Sequence, residues 1–149
     1  PENFIPTVMR RALSGEIIPV YGDGSNRRDW LHVADHCEAV LAVLERGTPG
    51  EAYNIGGGTE VSNLELAKKI CAALDKVKSV EKSHAGLIQF VEDRKGHDFR
   101  YAIDSSKIER DVGWKASRVL DRDLQETVLW YLENQSWVDA ALVAEAHKS

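Results

Sequence analysis

Apolar residues at Phe4, Ile5, Val8, Met9, Ala12 and Leu13 recur at helical spacing, and Gly15 stops the helix they predict. A β-branched run from Ile17 to Tyr21 closes on Gly22-Asp23-Gly24, which predicts a strand and a turn. Trp30 to Val33 predicts a second short strand. Asp35 then caps a helix whose apolar stripe is Ala39, Val40, Val43 and Leu44, broken at Gly47-Thr48-Pro49-Gly50. Ala52 to Ile55 predicts a strand running into three glycines. Ser62 and Glu65 form a capping-box pair before a helix carrying Leu64, Ala67, Ile70, Cys71 and Leu74. The stretch from Lys76 to Ser83 is polar and predicts a surface loop. Strands are expected at Leu87–Val91 and Arg100–Ile103, on either side of a turn at Arg94–Asp98. Ser105 caps a short helix with Ile108 and Val112, ended by Gly113, and Leu120 to Leu132 forms the last amphipathic helix. The tail after Trp137 is alanine-rich and helix-prone.

Strands alternating with helices place the chain in the α/β class, with a partial parallel sheet and a mixed helical and short-strand subdomain. Its 149 residues fit one domain. A net charge of -5 argues against a nucleic-acid partner, which calls for a basic face, but one diphosphate needs only two or three local cations. No apolar run approaches a membrane span, and no signal-peptide pattern is present. Cys37 and Cys71 each sit among apolar neighbours in helical stretches, so both are expected as buried thiols, suited to a reducing cytoplasm. Two cysteines and five scattered histidines give no metal-ligand spacing. Gly56-Gly57-Gly58 follows a strand, but lacks the wide glycine spacing of a dinucleotide loop.

Four places could carry chemistry. Arg28 lies between the Gly-Asp-Gly turn and a strand, where its planar fork could grip phosphate oxygens; the alternative is a surface pair with Asp29 or Asp23. Pro19 and Tyr21 alternate across Val20 and share one side of a strand, a flat apolar surface for a pyrimidine or ordinary edge packing. Asn54 ends a strand beside glycines that let a ligand or another backbone approach, so its amide either reads a nucleotide or stabilises a turn. Arg94-Lys95-Gly96-His97-Asp98 gathers cations around a glycine, either a diphosphate grip with His97 on the base or a solvated loop. His36 caps or packs at a helix start, and none of His32, His36, His84 and His147 has a partner at catalytic spacing.

In order, Pro1-Glu2-Asn3-Phe4-Ile5-Pro6, Pro19-Val20-Tyr21-Gly22, Arg28-Asp29-Trp30, Tyr53-Asn54-Ile55-Gly56-Gly57 and Asp93-Arg94-Lys95-Gly96-His97-Asp98 resemble the C-terminal, substrate-binding part of the dTDP-glucose 4,6-dehydratase family, within the extended short-chain dehydrogenase/reductases. Arg94-Lys95-Gly96-His97-Asp98, continued by Phe99-Arg100-Tyr101-Ala102-Ile103-Asp104, is the most discriminating stretch; nucleotide-sugar 4-epimerases and UDP-glucuronate decarboxylases share the Tyr53-Asn54-Ile55-Gly56-Gly57 and Arg28-Asp29 patterns. The resemblance implies a nucleoside-diphosphate sugar, dTDP-glucose first, against Asn3, Phe4, Pro19, Tyr21, Arg28, Asn54, Arg94 and His97. It implies a cytoplasmic, homodimeric parent enzyme that binds NAD in an N-terminal Rossmann domain, with none bound by these residues alone.

Three positions depart from the family: Asn3 replaces lysine, Lys95 replaces proline, and Arg27, read as solvent-facing, replaces an apolar residue. The family's catalytic tyrosine precedes a lysine by four positions; Tyr21, Tyr53, Tyr101 and Tyr131 are followed there by Ser25, Gly57, Ser105 and Gln135. The chain also opens at Pro1 inside a motif, without methionine. The expectation is therefore an excised substrate-binding portion, inactive alone and exposing apolar surface. A non-catalytic binding module on the same fold is the rival from another class.

Overall fold

The computed structural model describes residues 3–78, 80–138 and Ala140. In chain order they form α1 (Phe4–Leu13), β1 (Ile18–Tyr21), β2 (Arg27–Asp29), α2 (Val33–Arg46), β3 (Glu60–Ser62), α3 (Asn63–Lys78), a 3-10 turn (His84–Leu87), β4 (Ile88–Val91), β5 (Arg100–Tyr101), α4 (Ser106–Val112) and α5 (Leu120–Glu133). The fold is α/β with two small sheets. In one, β1 pairs in parallel with β4, Ile18 opposite Ile88. In the other, β2 lies at the centre, antiparallel to β3 and parallel to β5.

Two cores hold these elements. The larger joins Val8, Met9 and Ala12 of α1 to Ile18 and Val20 of β1, to Leu66, Ile70 and Leu74 of α3, and to Leu124 and Val128 of α5. Burying each large aliphatic side chain there stabilises the fold by about 1.5–3 kcal/mol. The smaller core packs Ala39 and Ala42 of α2 against Ile108 and Val112 of α4 and the Trp114 ring, with Tyr53 and Ile55 partly buried against it. Because β1 buries Ile18 and Val20, it turns Pro19 and Tyr21 to its other side.

Several local expectations are corrected. The second strand falls at Arg27–Asp29, not Trp30–Val33, because the ladder partners from β3 and β5 lie opposite those three residues. Val33 instead begins α2, and His32 caps it, its Nδ1 accepting from Ala34 N–H at 3.2 Å. Asp35 is buried in the first turn, where it accepts from the Arg118 N–H and the Ser117 hydroxyl, tying α2 to the approach to α5. Ala52–Ile55 forms no strand, since no described segment pairs with it in a ladder; the chain beside it is met by side chains, the Asn54 amide donating to the Asp104 carbonyl and the Lys107 ammonium to the Ala52 carbonyl.

β3 had no hydrophobic alternation to announce it; it forms because β2 pairs with it. Ser62 does cap α3, accepting from Glu65 N–H at 3.2 Å, but α3 continues to Lys78, into the stretch expected as loop. Asp104, not Ser105, supplies the side-chain bond at the start of α4, accepting from Ser106 N–H at 2.9 Å. Gly113 ends α4 in the left-handed region, as expected. Most of the tail after Trp137 lies outside the described residues.

The stripe on α2 is half buried. Ala39 and Ala42 face α4, whereas Val40, Leu41 and Leu44 are exposed, Leu44 at 80%. Cys37 is exposed too, against the expectation of burial, while Cys71 is buried among apolar side chains that push its thiol up to about 11. Among the described residues no helix is long and apolar enough to cross a membrane.

Two outcomes follow from this packing. An uncovered apolar helix face seeks a partner, so the 149-residue chain is expected to self-associate in sedimentation velocity, and Leu41→Glu with Leu44→Glu to shift it towards monomer. A wild-type chain that stays monomeric at every concentration contradicts this.

The second outcome concerns acid. Burial alone would raise the Asp75 carboxyl, but bonds from the Ser83 hydroxyl, the His84 N–H and the His84 ring hold it below its usual range. A depressed folded-state value contributes stability above the unfolded carboxyl's pKa, lost as pH falls through the folded one. Urea unfolding should show Asp75→Asn weaker than wild type by about 1–2 kcal/mol at neutral pH. The difference should close in strong acid; a gap of the same size at both pH values would contradict the linkage.

Candidate functional site

The β1 strand, α1 and the turn between β4 and β5 surround a cleft of about 760 Å³. Phe4 comes from the first turn of α1, and Asn3 precedes it at the N-cap with no side-chain capping bond. Pro19 and Tyr21 come from the outward side of β1, Arg28 from β2, and Arg94 and His97 from the turn. Seven of the eight expected site residues thus share one cavity. Asn54, the eighth, is not among its lining residues; its side-chain amide donates to the Asp104 carbonyl at 3.3 Å, the turn-stabilising alternative.

The glycines beside Asn54 serve the chain's own packing. Both Asp29 carboxylate oxygens accept from that loop, one from Gly57 N–H at 3.0 Å and one from Thr59 N–H at 3.1 Å. A Cβ on Gly57 would stand 2.0 Å from the Trp30 carbonyl oxygen, and one on Gly56 would stand 2.6 Å from the Asp29 carboxylate. The close approach that the triple glycine allows is therefore to Asp29 and Trp30. Gly56 and Gly57 are thus taken up by the chain's own atoms and give a dinucleotide no close backbone approach at those two positions.

The two site arginines are held differently. Arg28 pairs with neither Asp29 nor Asp23. Its guanidinium donates to the carbonyls of Arg27 at 2.7 Å, Asp98 at 2.8 Å and Phe99 at 3.4 Å. Arg94 lies over the Tyr21 ring, its guanidinium carbon 4.5 Å from the centroid. A base stacking on that phenol shares it with Arg94 or displaces it. Arg27, expected to face solvent, is instead half-buried and donates to the Glu60 carbonyl at 2.7 Å, tying β2 to β3 outside the cleft.

His97 meets the Tyr21 ring edge-on, with centroids 6.2 Å apart, and its Nδ1 lies 2.7 Å from the Asp93 carboxylate. That bond is the main reason the Asp93 carboxyl sits below its usual range, helped by the Arg94 N–H. Gly96 takes φ +73° and lets the chain turn tightly between Arg94 and His97. With Lys95 where the family has proline, the turn is closed by its own bond, His97 N–H to the Arg94 carbonyl at 3.1 Å.

Asn63, the first residue of α3, also lines the cleft and was missed in the sequence. Only its position after the Ser62 cap could have flagged it, as a polar side chain at a helix entrance. The floor is apolar: Trp30 packs on Phe4 with centroids 6.2 Å apart, and Trp30, Ile5, Thr127 and Tyr131 also line a neighbouring cleft of about 550 Å³. Together these groups can bind a dianion beside a flat ring. Among the described residues no cluster of histidine, cysteine or acidic side chains is arranged to hold a metal.

A family model described as GDP-mannose 4,6 dehydratase matches residues 1–127. The dTDP-glucose 4,6-dehydratase of Xanthomonas campestris pv. campestris is 49% identical over 144 residues, covering 95% of this chain and 41% of that protein. The crystal structure of a Bacillus anthracis dTDP-glucose 4,6-dehydratase in complex with NAD superposes with a TM-score of 0.78 at 44% identity, over 92% of this chain and 41% of that one. DesIV, a dTDP-glucose 4,6-dehydratase from Streptomyces venezuelae solved with NAD and TYD bound, gives 0.78 at 41% identity, over 92% and 40%. The chain thus spans about two fifths of the length of the relatives it matches.

The two glycines next to this loop's contacts should respond differently to a methyl group. Gly57→Ala drives Cβ into the Trp30 carbonyl and is expected to cost more than about 3 kcal/mol in urea unfolding. Gly58→Ala meets open space but keeps a positive φ, so about 1–2 kcal/mol is expected. Equal losses would mean that the loop does not press on Trp30.

Proposed function

Because this chain belongs to the GDP-mannose 4,6 dehydratase family, we propose that it carries the nucleotide-sugar-binding part of an NAD-dependent dTDP-glucose 4,6-dehydratase. The observation that carries the proposal is the convergence of Tyr21, Arg28, Arg94 and His97, from β1, β2 and the turn before β5, on one cleft. In this reading the diphosphate lies between the two guanidiniums, whose planar donors suit phosphate oxygens. The pyrimidine rests against Pro19 and Tyr21, with His97 at its edge and Asn63 supplying an amide in place of Asn54. Asn3 hydrogen-bonds the ligand without adding charge.

NAD, present in the solved relatives, would supply hydride chemistry. Gly56 and Gly57 are pressed against the chain's own atoms, so in this proposal other parts of the dehydratase bind the cofactor. The residues here bind and orient the sugar nucleotide. A cytoplasmic location and a homodimeric whole protein belong to the same proposal. The dehydratase reading is preferred to an epimerase because His97 and Asp98 join the arginine in the turn before β5.

Titration calorimetry with dTDP tests the site. A charge-assisted contact to phosphate is worth about 1.5–3 kcal/mol, so Arg94→Ala should weaken binding by about tenfold to a hundredfold. Arg27→Ala, outside the cleft, should change it by less than about threefold. Equal losses at Arg27 and Arg94, or none at either, would overturn the assignment.

A further inference from the structure

We propose that Tyr101 is a positioning residue for the phosphate grip, acting through Arg28; the inference rests on the nucleotide-site reading above. Tyr101 is 54% exposed and does not line the cleft. In the parallel pairing of β2 with β5 it lies directly opposite Arg28, and paired residues there present their side chains to the same face. The Arg28 guanidinium carbon stands 4.3 Å from the centroid of the Tyr101 ring. The ring thus provides a flat wall for the flat cation.

The hydroxyl completes the arrangement. It donates to the Asp98 carboxylate, and the backbone carbonyl of the same Asp98 accepts from the Arg28 guanidinium at 2.8 Å. One side chain therefore holds both the face of Arg28 and the residue that anchors its edge. The Asp98 bond is also the main reason the phenol is pushed above its usual range, which keeps the hydroxyl protonated as a donor.

A guanidinium has five N–H donors. Three go to the carbonyls of Arg27, Asp98 and Phe99, and 5 − 3 leaves two without a protein acceptor among the described residues. Clamped between backbone and ring, those two donors point in a fixed direction before any ligand arrives. A phosphate then meets an arginine that has little rotamer freedom left to lose. Without the ring, Arg28 keeps its charge and loses its orientation.

The experiment compares wild type, Tyr101→Phe and Tyr101→Leu with two readouts. The first is dTDP affinity by calorimetry. The second is the ring-current shift of the Arg28 side-chain N–H signals in nitrogen-edited NMR, assigned with Arg28→Lys. Tyr101→Phe keeps the ring and is expected to bind within about threefold of wild type with the shift retained. Tyr101→Leu is expected to lose the shift and bind about tenfold more weakly. Rescue by phenylalanine separates positioning from simple damage, since both replacements stand at the same exposed site.

Tyr101→Leu with unchanged shift and unchanged affinity overturns the proposal, as does Tyr101→Phe falling as far as Tyr101→Leu in both readouts. If wild type itself fails to bind dTDP, the nucleotide reading falls. The ring-current shift alone then decides whether Tyr101 holds Arg28.

Discussion

The site depends on one short strand that is paired on both edges. β2 has three residues, and each does something different because neighbouring side chains on a strand alternate between faces. Arg27 ties its own strand to β3 through the Glu60 carbonyl, and Arg28 turns towards β5 and the cleft. Asp29 closes the glycine loop with both carboxylate oxygens. A shift of one residue in the β2–β5 register would send Arg28 to the other face and leave Tyr101 without its cation. The two ladders resist that slip by locking β2 from both sides.

Charge in the cleft is local. The chain carries a net -5, yet the lining brings Arg28 and Arg94 together, and the nearest carboxylates are already engaged. Asp29 is occupied by two backbone N–H groups and Asp93 by the His97 ring and the Arg94 N–H. Hydrogen bonding of this kind satisfies an acidic group without spending an arginine side chain on it. The arginines themselves rest on carbonyls and aromatic rings, neutral partners that leave their positive charge available to an anion. The cations are therefore oriented and not neutralised, as the proposed diphosphate site requires.

Much of the architecture was legible in residue order. The helical spacing of Val8, Met9 and Ala12, the Ser62 cap of α3 and the left-handed stop at Gly113 are local effects, settled by side chains within a few residues of one another. The alternation of Pro19 and Tyr21 across Val20 is equally local, and it placed both on the cleft side of β1. The motif order also identified which arginines to compare. The family resemblance supplied most of the candidate site, since Arg28 or Arg94 alone reads equally well as a surface residue.

What the sequence determined by itself is thus the helices, the alternation of strand faces and most of the candidate residues that the fold brings to one cleft. Tertiary structure decided the rest, wherever the partner lies far along the chain. Glu60–Ser62 is a strand because β2 pairs with it, and Ala52–Ile55 is not one because no described segment forms a ladder with it. Val40 and Leu44 are exposed while Ala39 and Ala42 are buried because α4 covers only one side of α2. Asn63 reaches the cleft and Asn54 does not, a choice between two amides that depends on where α3 begins in space. Propensity and capping act over a few residues, whereas burial, pairing and convergence on a cavity depend on contacts between distant segments, which exist only once the chain has folded.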